Sequence, residues 1–173
     1  RVIDLLRPHL QPGGQLGCVT PALSLFAFAE MRHALASLEH TQLILPPGDG
    51  ALEFLGSEGD RIHRNQLQAR WLANQCAQWL STGKVQVRRA PGRVPPGAAV
   101  LRASDGAAAQ VVLGSFAFST DGLGLTPGNP LNLIQASETA AEAAQLAQWF
   151  EHQWAALRTQ PESQGALVAA LRS

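Results

Sequence analysis

The sequence predicts an α/β fold, a mixed sheet of about six strands sandwiched by helices. Three observations carry this. The apolar run "QLGCVTP", a long helical stretch and a second apolar run "TQLILPP" follow one another as strand, helix, strand. That order is a crossover and sets the two strands parallel. Further on, "AAVLRAS" and "AQVVLGS" flank Asp105-Gly106, a pair that makes a hairpin turn between antiparallel strands. Helical spacing of apolar residues recurs before, between and after the strands, supplying layers for both faces.

Taken in order, "VIDLLRPHL" places Val2, Leu5, Leu6 and Leu10 near helical spacing and stops at Pro8 and "QPGG". After the first strand, Thr20-Pro21 opens a helix whose stripe is Leu23, Phe26, Phe28, Met31, Leu35 and Leu38. The glycine-punctuated, acidic stretch "GDGALEFLGSEGD" is an excursion before a helix at about residues 60 to 82. Asp60 is its expected N-cap and Gly83 its expected C-cap, with Leu67, Trp71, Leu72, Cys76, Trp79 and Leu80 facing inward and Arg61, Arg64 and Arg70 outward. "KVQVRRA" alternates as a strand, "PGRVPPG" is a proline-rich turn, and the hairpin follows, at the centre or the edge of the sheet. "PLNLIQA" is one more short strand. A helix then runs from Ser137, expected as its cap, to about Thr159. The domain is expected to span 1–160, leaving 161–173 as a C-terminal tail or the start of a linker, with a loosely held helix after Pro161. No internal repeat is present.

Composition narrows the function classes. The chain has 173 residues, 46% hydrophobic and only 15% charged, with a formal net charge of zero. That length suits one domain with a real core. Zero net charge gives no general attraction to phosphate, so nucleic-acid binding would need a local arginine cluster or a neighbouring domain. Among the basic residues one is lysine and twelve are arginine. Cys18 and Cys76 lack metal or disulfide spacing and read as small buried hydrophobes, which fits a reducing cytoplasm. No apolar run reaches the ~18 residues of a membrane helix, and no signal-peptide layout is present. Arg1 rather than Met stands first, which suggests a segment of a longer polypeptide.

From Val85 onward the order of motifs resembles the phospholipase D superfamily, specifically the compact nuclease-type domain found beside DNA helicases of bacterial restriction and defence systems. The residues that carry the resemblance are Gly114-Ser115-Phe116-Ala117-Phe118-Ser119, Gly122-Leu123, Asn129, Leu131-Asn132, Trp149-Phe150 and Trp154. "QLGCVTPALSLFAFAEM" and "TQLILPPG" are similar to that family's opening strand and helix and to its second strand and glycine loop. The resemblance implies a histidine nucleophile that attacks phosphorus, a lysine two residues on that neutralises phosphoryl oxygens, and a serine at the Gly-Ser turn. It also implies a dimer, because two such half-sites normally meet. Here Pro96 falls where the histidine belongs, Ala98 where the lysine belongs, and Pro130 where an acidic residue belongs. None of the three can attack, transfer a proton or carry charge. The resemblance therefore implies a degenerate, catalytically inactive member, part of a larger ATP-dependent helicase-type protein and serving in dimerisation and assembly or in nucleic-acid positioning.

Two uses compete for the remaining polar groups. Ser115 with Gly114 is a candidate phosphate site, through its hydroxyl and adjacent N–H groups; alternatively Gly114 only permits a tight strand exit. Arg88, Arg89, Arg93 and Arg102 are candidates for phosphate contact, or else solvated strand faces and edge protection. His9, His33, His40, His63 and His152 are scattered without metal spacing, so no metal is expected. The glycine runs carry no P-loop lysine, and no cofactor is expected. Trp71, Trp79, Trp149 and Trp154 are expected as core or dimer contacts. Two other readings stand beside the leading one: an active metal-independent phosphodiesterase whose nucleophile comes from elsewhere, such as His63 or a partner chain, and an oligomerisation module of an unrelated α/β fold.

Overall fold

The computed structural model describes residues 1–48, 66–94 and 97–173, the side chains of residues 66 and 67 excepted. Asp60, Arg61, His63, Arg64 and Pro96 therefore lie outside the described residues. A six-stranded mixed sheet with helices on both sides forms the molecule, as the sequence predicts. Helix α1 (Val2–Leu6) runs into a short tight turn and leads to β1 (Gln15–Val19), α2 (Leu25–Ser37) and β2 (His40–Leu45). Helix α3 (Gln66–Leu80) and strand β3 (Val85–Arg89) follow, and then the hairpin β4 (Ala98–Arg102) and β5 (Ala108–Gly114). The one-turn helix α4 (Thr120–Leu123), β6 (Ile134–Ala136), α5 (Ala140–Ala156) and α6 (Pro161–Arg172) complete the chain. Strand order is β3-β2-β1-β4-β5-β6, with the first three parallel and the rest antiparallel. The hairpin sits inside the sheet, and β3 and β6 are its edges.

Period-two alternation assigns each strand residue to one face. Leu16, Cys18, Leu43, Leu45, Val87, Ala99, Leu101 and Val112 face α1, α2, α3 and α6 and belong to the larger core. Val19, Ile44, Ala98, Val100 and Val111 face α5 and pack with Ala143, Ala147, Phe150 and Trp154. Here Gly17 is required by close approach: a Cβ on it would lie 2.5 Å from Phe150 Cε1. The Phe150 ring lies against the bare backbone of β1, and stacks at 6.3 Å on Trp154.

Several elements differ from the sequence expectation. The α5 cap is Thr139, whose hydroxyl accepts from the Glu142 N–H at 3.1 Å, rather than Ser137. Ser137 is held in the sheet, donating its N–H to Val111 O and accepting the Val111 N–H on its hydroxyl. The strand expected over "PLNLIQA" is shorter because the Asn129 carboxamide accepts from the Leu131 N–H and holds that stretch in a turn. Trp71 is 48% exposed instead of inward, with the Arg32 guanidinium 4.8 Å above its ring. Residues 161–173 are not loosely held: α6 packs on α3 and β3 and buries Leu167 and Leu171 in the larger core.

Glutamines decide how α6 attaches. Gln164 accepts from the Val87 N–H at 3.2 Å and donates to the carbonyls of Leu80 and Val85 at 2.8 Å each. Gln160 accepts from the Arg89 N–H and donates back to Arg89 O. The two side chains stand in for the strand that β3 lacks, satisfying its outward backbone groups.

Candidate functional site

The site singled out by the sequence lies where β1 and β5 end and β4 begins. Gly114 has φ +148°, and a Cβ there would fall 2.1 Å from Leu133 O, so only glycine lets β6 approach this closely. Gly97 is constrained in the same way, its missing Cβ 2.4 Å from Phe116 O. The two glycines let the start of β4 and the exit of β5 close on each other.

Backbone donors at this turn are consumed internally. The Gly114 N–H donates to Gly97 O, the Ser115 N–H to Leu133 O, the Phe116 N–H to Gly114 O and the Gly97 N–H to Phe116 O. A phosphate at Ser115 would meet the exposed hydroxyl without the adjacent amides that make such turns anion sites. Phe116 and Phe118 are buried and lock the loop into the larger core.

Thr20 is the polar residue here that sequence reasoning did not single out. Fully buried, its hydroxyl accepts from the Phe118 N–H at 2.8 Å and donates to Ala22 O at 2.6 Å. Ser24, the α2 cap, donates its N–H to Phe118 O at 2.9 Å. Together they fasten residues 114–119 to the β1–α2 connection. Ser119 caps α4 by accepting from the Gly122 N–H. The only sequence signal for Thr20 was a hydroxyl directly after a buried strand and before proline.

Ala98, at the position where the resemblance implies a lysine, is 2% exposed and part of the smaller core. Pro130 lies in the exposed turn after Asn129. Arg88, Arg89 and Arg102 do not gather round Ser115. Arg102 ends β4 at the opposite end of the strand from Ala98, about 14 Å of extended chain away, where it donates to Gly106 O and lies 3.7 Å from Glu151. Arg88 and Arg89 stand on β3, four strand spacings from β5, or about 19 Å. Arg88 lies 4.2 Å over Trp154 and donates to the carbonyls of Trp154 and Leu157, closing the C-terminus of α5. Arg89 is 9% exposed and donates to the carbonyls of Pro46 and Gly48. Arg93 is exposed in the loop after β3.

Burial pushes the Cys18 and Cys76 thiols up to about 12, which leaves both as uncharged core groups at neutral pH. Among the described residues no group of three His, Cys, Asp or Glu side chains converges on a metal-sized site. No helix of the described residues is long and apolar enough to cross a membrane. No protein-family model matches the chain, and no curated protein matches it. Fold and site together define a class: an α/β protein built on a six-stranded mixed sheet, whose Gly-Ser strand exit is closed on itself by its own backbone.

Proposed function

We propose that this chain is a catalytically inactive phospholipase D-like domain that serves in assembly, pairing with a second copy of itself along β6. The observation that carries this is the open β6 edge. The bonds Ser115 N–H to Leu133 O and Ser137 N–H to Val111 O fix which residues of β6 face β5. By alternation, Ile134 and Ala136 turn their N–H and C=O groups outward. Beside them Leu131 is 88% and Leu133 76% exposed, and residues 131–137 carry no charge. An uncharged edge lacks the usual protection against strand addition. Antiparallel pairing centred on Gln135 would match Ile134 of one copy with Ala136 of the other, so the same surface serves both.

Inactivity is supported by the apolar, buried Ala98 and by the spent backbone donors at Ser115. Assembly is favoured over nucleic-acid positioning because Arg88, Arg89 and Arg102 are committed to carbonyls and to Glu151 within the fold. Sedimentation tests the reading. The protein is expected to be a dimer, and Leu133→Lys, which places like charges along the joined edge, a monomer with unchanged melting temperature. A monomeric parent protein removes the assembly reading. Metal-independent hydrolysis of bis(nitrophenyl) phosphate that disappears in Ser115→Ala removes the inactive one.

A further inference from the structure

At the opposite end of the strands from Ser115, α2 and α3 part to leave a groove of about 310 Å³. This is the lower end of the size range of small-molecule sites, about 300–1,000 Å³. Its floor is apolar: Phe28, Leu35, Leu38 and Trp79, with the Phe28 and Trp79 rings 5.4 Å apart. Its rim carries Arg32, His33 and Lys84, and among the described residues no Asp or Glu lines it. In a chain with zero net charge this is a local excess of positive charge over an aromatic floor. Lys84 is the chain's one lysine. Arg32 is half-buried and steadied over Trp71 rather than by a carboxylate, since the ion pairs among the described residues do not include it.

A second observation is independent of the charges. Thr41 lines the groove and is 2% exposed, and its N–H donates to Lys84 O at 2.8 Å. Among the described residues its hydroxyl makes no hydrogen bond within the protein and, since no side-chain nitrogen or oxygen buried from solvent is left unpaired there, that hydroxyl is the part of Thr41 open to solvent. A polar group set into an apolar recess, next to the base of Lys84, is the arrangement of a ligand site: apolar contacts hold the body and a few polar groups fix the orientation.

We infer that this groove binds a small organic anion. An aromatic or bulky apolar body lies against Phe28 and Trp79, and a carboxylate or phosphate end is held by Lys84 and Arg32, with Thr41 hydrogen-bonding it. The two cations supply charge-assisted hydrogen bonds, and the Arg32 fork suits either planar carboxylate or phosphate oxygens. The groove does not include β6 or the Ser115 turn, so its test stands apart from the edge-pairing proposal.

Isothermal titration of the intact protein with naphthoate, naphthyl phosphate, naphthylmethylamine and inorganic phosphate separates the contributions. Both naphthyl anions are expected to bind, and the amine and the bare phosphate are not. A preference for one anion identifies the acidic group the site takes. Lys84→Gln and Arg32→Gln are each expected to weaken binding by about tenfold, the loss of one charge-assisted hydrogen bond. Thr41→Val, which keeps the shape, should weaken it several-fold. The inference is overturned if no probe binds, if the amine binds as well as the anions, if inorganic phosphate alone matches the phosphate ester, or if the Lys84 and Arg32 variants, with melting temperatures like the parent's, bind unchanged.

Discussion

The two edges of the sheet are finished in opposite ways. At β3 the outward N–H and C=O groups are taken up by Gln160 and Gln164, reaching from α6 some seventy residues later in the chain. At β6 no hydrogen bond among the described residues takes up the corresponding groups of Ile134 and Ala136, and Leu131 and Leu133 stand exposed beside them. The difference shows that a strand edge need not be closed by another strand. Two amides on a helix turn, spaced four residues apart, reproduce the alternating acceptor and donor of a missing neighbour. It also leaves the sheet able to grow at one end only, which is the geometry of a closed two-fold pair rather than a filament.

The closed edge is the more costly one to break. Gln164→Leu keeps the bulk but strands the Val87 N–H and the carbonyls of Leu80 and Val85. A loss of about 3 kcal/mol in a denaturant titration is expected, at about 1 kcal/mol for each of the three stranded groups. A loss below about half a kcal/mol would mean that α6 closes the edge by packing alone.

The open edge responds in affinity rather than in fold. Ala136→Pro removes an outward donor without touching the β5 ladder, a position where an edge strand tolerates proline. By two-fold symmetry a dimer loses two hydrogen bonds, about 2 kcal/mol or roughly thirtyfold in dissociation constant. Sedimentation should show this weakening with an unchanged thermal transition; a destabilised monomer would place that N–H inside the fold.

A smaller effect is expected at Arg88, which links the closed edge to α5. Arg88→Met keeps the stem on Trp154 but loses the guanidinium over the ring and the bonds to the helix C-terminus, for about 1 kcal/mol. Last comes a pH effect that neither edge should alter. Cys18 and Cys76 are held near 12 in the fold and return to about 8.5 when the chain unfolds. Between these values the unfolded chain sheds protons the folded one keeps. Their contribution is therefore fully present below about pH 8.5 and falls as pH rises toward 12. Stability measured at about pH 8 and about pH 10.5 should differ, and Cys76→Ala should shrink the difference.

How far the sequence could be read depended on how local each signal was. Asp105-Gly106 gave the hairpin because the turn is self-contained: Asp105 accepts from the Ala107 N–H, and Gly106 takes φ +86°. The parallel pair β1 and β2 was legible because a helix separates two apolar runs. Ser137 and Thr139 were indistinguishable as caps, because the choice depends on where β6 stops pairing with β5. Trp71 looked inward by its spacing, yet in the fold it is half-exposed with the Arg32 guanidinium over its ring. At the candidate site, Gly114-Ser115 was found from sequence, but the use of its N–H groups was not. Their acceptors, Gly97 and Leu133, come from two other segments.

By itself the sequence determined the six strands and the longer helices, the hairpin, the parallel pair and the apolar character of Ala98. These follow from periodicity and turn chemistry, which act over a few residues. Only the tertiary structure decided that Gly17 must make room for Phe150, that Arg88, Arg89 and Arg102 bond carbonyls of helices and loops instead of gathering at Ser115, that α6 seals β3, and that a charged rim surrounds an aromatic groove at the far end of the strands. Each of those depends on residues that meet only after the sheet has formed, and no local pattern encodes such a meeting.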